Sequence, residues 1–241
     1  MSQLSNAPLL EVIFMLTWHL SEEELNNFSF ISGDFYNQVK DPFKSRDSLI
    51  PDNMPIPFVI NKPTIRFTKP NQEYPQILLG PGVFSLNTIE NKYSWDGYLE
   101  DIEYSVKAFL STINDFNKID HTHLVLKYID FLPFNYGKNN IIQYLNSKLH
   151  TNISQTFENT ETVDDINLNI KYDKGDLGHL SVQVSKGKVN DESGIIVQTS
   201  MISPIIKPSV EDIKNWSITA HEVCSTTFKE MTKGELYDSF M

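Results

Sequence analysis

The sequence predicts an α+β protein in which antiparallel sheet packs against two long amphipathic helices, arranged as two similar halves. Three observations predict it. Several segments alternate apolar and polar residues and are joined by connections too short for a parallel crossover. The stretches 95–116 and 209–231 instead repeat apolar residues every three or four positions. A meander of strands followed by one such helix occurs twice, which places the halves at 1–135 and 136–241, packed as one unit, with no repeat at the level of individual residues.

The first element is a strand over Leu9–Trp18. Leu10, Val12, Phe14, Leu16 and Trp18 occupy one phase, and Ile13 and Met15 enrich the other, so one face is covered and the second partly so. Ser21, followed by three glutamates, caps a short helix. Between Asp34 and Lys62, prolines 42, 51, 55 and 57 disfavour a long helix or a central strand, and a packed loop with one helical turn near Asp34–Lys40 is expected. Strands follow at Thr64–Thr68, Gln76–Leu79 and Val83–Ile89, the last two joined through Gly80-Pro81-Gly82 as a tight hairpin. The helix over 95–116 buries a wide stripe from Trp95 through Tyr98, Ile102, Val106, Phe109 and Ile113 to Phe116.

His121–Phe131 reads as a strand ended by Pro133 and Gly137. A short helix over Asn140–Leu149 precedes two strands, Ile166–Tyr172 and Leu180–Ser185. A polar turn over Lys186–Gly194 then leads to a further strand, Ile195–Met201. Ser209 caps the last helix, whose stripe runs from Ile213 to Met231, and Gly234 stops it.

Composition narrows the function classes. The 241 residues include 20 Lys+Arg and 31 Asp+Glu, a net charge of −11, which argues against broad binding to a phosphate backbone and favours a basic protein partner. One cysteine, Cys224, excludes an internal disulfide and a multi-cysteine zinc site. Met1–Pro8 carries no Lys or Arg, unlike the start of a secretory signal, and no apolar run is long enough to span a bilayer, so a cytoplasmic location is expected.

Few residues carry chemistry. His121 and His123 alternate on a strand and point to one face, where they could share a metal, though a third ligand must come from a distant segment such as His179. His221 and Cys224 share a helix face, as a base and a nucleophile would, but a thiol beside an apolar stripe is usually inert packing. Gly80-Pro81-Gly82 and Gly137-Lys138 lack the rest of a phosphate loop, and the acids at 164, 165, 173 and 176 lack the spacing of a calcium loop. Tyr93, Trp95 and Tyr98 crowd the start of the long helix, where aromatics line a ligand or partner surface or anchor the helix in the core.

Four stretches carry a resemblance. They are Pro8-Leu9-Leu10-Glu11-Val12-Ile13-Phe14, then 77–85 (Ile-Leu-Leu-Gly-Pro-Gly-Val-Phe-Ser) with Tyr93-x-Trp95, then 124–130 (Leu-Val-Leu-Lys-Tyr-Ile-Asp), and the closing helix around His221–Met231. On these the chain resembles a sporadically distributed family of uncharacterised bacterial proteins about 250 residues long, whose members often carry Arg where Lys127 stands. The resemblance implies no reaction, cofactor or catalytic residue. The scattered occurrence of such proteins implies an accessory role in mobile or defence-related gene clusters. The expectation is a non-catalytic protein that binds another protein or itself, without a cofactor. The alternative is a small-ligand or metal-assisted site between sheet and long helix.

Overall fold

Among the described residues, nine antiparallel strands form one sheet. A computed structural model describes residues 4–51, 54–116, 121–154, 156–157 and 163–241. The strands are β1 (Leu9–Trp18), β2 (Ser45–Ser48), β3 (Ile65–Thr68), β4 (Gln76–Gly80), β5 (Val83–Ile89), β6 (Thr122–Pro133), β7 (Asn167–Asp173), β8 (His179–Val189) and β9 (Glu192–Ile202). Their order across the sheet is β2-β3-β4-β5-β1-β6-β9-β8-β7. The helices are α1 (Glu22–Val39), α2 (Trp95–Phe116), α3 (Ile141–Lys148), α4 (Val210–Thr232) and α5 (Glu235–Asp238). The antiparallel pair β1–β6 lies at the centre. Outward from it, one side runs β5-β4-β3-β2 and the other β9-β8-β7, and on each side the chain order is strand, helix, meander, long helix.

All of the longer helices pack on one face. Alternation along β1 sends Val12, Phe14, Leu16 and Trp18 inward. Phe35 of α1 meets Phe67 and Phe84 edge-on at 5.4 and 6.0 Å, and Phe109 of α2 stacks on Phe84 at 5.1 Å. α4 adds Ile213, Trp216 and Ala220 to the same cluster. A second cluster lies under α3, where Ile141 and Leu145 meet Leu132, Val184, Ile195 and Val197, closed by Phe240 from the C-terminal tail.

Three local expectations are corrected. The short helix after Ser21 runs for 18 residues, to Val39, so the chain has a third long helix beside α2 and α4. Phe28, Ile31, Phe35 and Val39 are buried at spacings of three and four, a stripe that outweighs the poor helix formers Asn26, Asn27 and Gly33. Of the expected loop, Ser45–Ser48 is an edge strand and Ile56–Val59 a single 3₁₀ turn. The polar turn after β8 shrinks to Asn190-Asp191, both at positive φ (47° and 69°), the geometry that two-residue hairpin turns require.

The Ser21 cap is complete. Ser21 Oγ accepts from the Glu24 amide at 3.2 Å while Glu24 accepts from the Ser21 amide at 2.7 Å, a reciprocal capping box. Ser21→Ala is expected to cost about 1 kcal/mol in urea unfolding. At the β4–β5 hairpin, Gly82 has φ +82°, and a Cβ on Gly80 would lie 1.9 Å from the Lys62 carbonyl oxygen, so both glycines are required.

Candidate functional site

The aromatic group at the start of α2 faces inward, onto the sheet and α4. Tyr98, one turn into α2, is 3% exposed; its hydroxyl donates to the Leu86 carbonyl at 2.6 Å and accepts from the Phe14 amide at 2.7 Å, tying α2 to β5 and β1. Tyr128 of β6 lies between His221 Nδ1 of α4 at 2.7 Å and the Tyr93 hydroxyl at 3.1 Å. Whichever nitrogen of His221 carries the hydrogen, Tyr128 has one neighbour to donate to and one to accept from. Trp95 stacks on the His221 ring, with centroids 3.9 Å apart and planes 9° from parallel. Tyr93, Trp95 and Tyr98 thus form an internal joint between α2, α4 and the sheet.

Burial makes this joint electrically neutral. It lowers His221 to about 4 and pushes the Cys224 thiol up to about 12, and it raises Tyr93, Tyr98 and Tyr128 well above the usual phenol value. At neutral pH the imidazole is uncharged and Cys224, 1% exposed, is a thiol rather than a nucleophilic thiolate. Asp130, on the same face of β6, is raised to about 7 by burial. It exchanges its proton near neutrality, but it is 5% exposed, beside a register shift of β1 between Leu9 and Glu11.

The histidine pair lies elsewhere. His121 precedes β6, and both His121 and His123 are exposed. His123 Nδ1 is 3.4 Å from the Ser203 carbonyl oxygen. Among the described residues no group of three His, Cys, Asp or Glu side chains is placed to hold a metal ion.

What sequence reasoning did not assemble is the opposite face of the sheet. There the registers align Leu78, Ser85, Met15, Val125 and Ile202 in one row, with Ile13 beside Lys127 and Glu11 beside Ile129. Ile13, Met15, Val125, Ile129 and Ile202 are half-buried and belong to neither core cluster. Toward one side Ser85 donates to Asn87 at 3.0 Å and Asn87 to Glu11 at 2.7 Å. Toward the other the face turns to Ser200, Gln198, Gln183 and Ser181. The signal was the second apolar phase of β1, repeated in β6, which only the central pairing brings together.

Charge is partitioned between the two sides. α1, α2 and α4 together contain thirteen acidic and three basic residues, a net of −10 in a chain whose total is −11. The helix-free face carries both signs, Glu11 and Lys127 at its centre and the pair Arg66–Asp47 at 3.1 Å near one edge. No helix of the described residues is long and apolar enough to cross a membrane. No protein-family model matches the chain, and no curated protein or solved structure shows significant similarity to it.

Proposed function

We propose that the protein works by non-catalytic association with another protein chain through the helix-free face of its sheet, and that the chain seated there is a second copy of itself. The observation that carries this reading is the separation of charge from apolar surface: the helical layer holds nearly all of the net negative charge, while the opposite face offers Leu78 of β4, Ile13 and Met15 of β1, Val125 and Ile129 of β6 and Ile202 of β9. The six adjacent strands β4, β5, β1, β6, β9 and β8, taken at about seven residues each, present on the order of 700 Å², at about 4.8 Å between strands and about 3.4 Å per residue. A stable interface needs roughly 800 Å² per partner.

Sheets stacked face to face lie about 10 Å apart, which sets the two acidic layers on opposite outer sides, several Debye lengths of about 8 Å from each other. A two-fold arrangement whose axis passes between Lys127 and Glu11 is self-complementary, since it would set each lysine against the glutamate of the other copy. The acidic layer then faces outward, where it favours and speeds encounter with a basic protein in an accessory role. Against the alternative of a ligand or metal site between the sheet and α2 or α4, the space at the start of α2 is filled by Tyr98, Tyr128, Trp95 and His221.

Sedimentation velocity tests the proposal. The wild-type protein is expected to sediment as a dimer of 27.7 kDa chains, Val125→Glu as a folded monomer, and Glu100→Lys, on α2, as a dimer. A wild-type monomer at every concentration up to hundreds of micromolar overturns the proposal, and so does a dimer that survives Val125→Glu combined with Met15→Glu.

A further inference from the structure

We propose that a second site, independent of the sheet face, binds an amphiphile with one anionic head and one apolar tail, and that Arg46 holds the head. A cavity of about 490 Å³ lies between α1, the β2–β3 edge and the segment after β2, within the roughly 300–1,000 Å³ typical of ligand sites. Phe28, Val59 and Ile65 give it apolar walls, and Ser29, Ser48 and Thr64 supply hydroxyls.

Arg46 is the cation of this cavity. Its Nη2 donates to Ser32 Oγ at 3.3 Å, and among the described residues no carboxylate lies within ion-pair distance of it. In a chain with 31 acids this needs a cause, and strand alternation provides it. Asp47, the next residue, points to the opposite face of β2 and pairs with Arg66 at 3.1 Å. Arg46 is left with guanidinium donors suited to a carboxylate or phosphate.

The surroundings define the rest of the ligand. Ile50, Pro51, Met54 and Pro81 extend the apolar walls, so that seven of the twelve lining residues are apolar. A cavity with mostly apolar walls and one guanidinium that has no ion-pair partner among the described residues fits a long-chain carboxylate or the headgroup and acyl chain of an anionic lipid, both of which present the same chemistry.

Isothermal titration with decanoate tests the site, with 1-decanol as the uncharged ligand of equal tail. Saturable binding of decanoate is expected, weakened at least tenfold in Arg46→Gln, partly restored in Arg46→Lys, and at least tenfold weaker for decanol. Co-sedimentation with phosphatidylglycerol vesicles separates the sources: Arg46-dependent pelleting assigns the lipid headgroup, and decanoate binding without pelleting assigns the free acid. Absence of saturable decanoate binding, equal affinity for decanol, or unchanged decanoate affinity in a folded Arg46→Gln variant overturns the proposal. Val125→Glu, on the other face of the sheet, leaves decanoate binding intact, so failure of this site and failure of the sheet interface are distinguishable.

Discussion

Asp130→Asn is expected to stabilise the protein above pH 7, by up to about 4 kcal/mol, and to change how stability depends on pH between about 4 and 7. The cause is burial. In the folded chain Asp130 holds its proton up to about pH 7, against an ordinary value of 3.8, and each tenfold change in proton affinity corresponds to about 1.4 kcal/mol. The folded state therefore binds more protons than the unfolded one across that interval, and stability falls as pH rises through it. His221 acts in the opposite sense. Its folded value is lowered from 6.5 to about 4, so its contribution is present above pH 6.5 and is lost as pH falls toward 4.

The two slopes oppose each other and flatten the wild-type profile. Asp130→Asn leaves the His221 slope alone, so stability rises with pH up to about 6.5 and then levels. His221→Gln leaves the Asp130 slope, so stability declines from about pH 4 to 7. Urea unfolding at a series of pH values checks both. Parallel profiles for the wild type and the two variants would show that neither group is buried as described.

Phe109→Ala is expected to cost about 3–5 kcal/mol, a large share of the roughly 5–15 kcal/mol that holds a domain together. Phe109 is fully buried and joins two helices to the sheet, with ring centroids 5.0 Å from Trp18, 5.1 Å from Phe84 and 6.3 Å from Phe35. Truncation removes these ring contacts and leaves a cavity that α1, α2 and the sheet can close only by moving together. Phe109→Leu, which keeps most of the volume, is expected to lose about half as much. A urea-derived loss below about 1 kcal/mol for the alanine variant would contradict this account of the core.

The strands were legible wherever one face alternated cleanly. Leu9–Trp18 and Val83–Ile89 have the bounds their patterns suggest, and the Ser21 and Ser209 caps each accept a backbone amide. The sequence pattern understates α1, because Asn, Ser and Gly obscure a regular stripe of four large residues, and tertiary burial against Phe67 and Phe84 decides it. The joint between Trp95, Tyr128 and His221 was not legible, because 93 residues separate Tyr128 from His221 and only the packing of α4 on β6 unites them. The Arg46 cavity was hidden for a similar reason: β2 lies in a stretch whose prolines masked an edge strand, and without the strand the opposite orientations of Arg46 and Asp47 have no basis.

Site-specific cross-linking tests the central claim most directly. Cys224 is buried and unreactive, so a cysteine introduced by Val125→Cys reports on the helix-free face, and one introduced by Glu100→Cys reports on the helical layer. With a short bismaleimide, the account predicts covalent dimers from Val125→Cys, at protein concentrations where the wild type is dimeric, and none from Glu100→Cys. Cross-linking through position 100 but not 125 would contradict it.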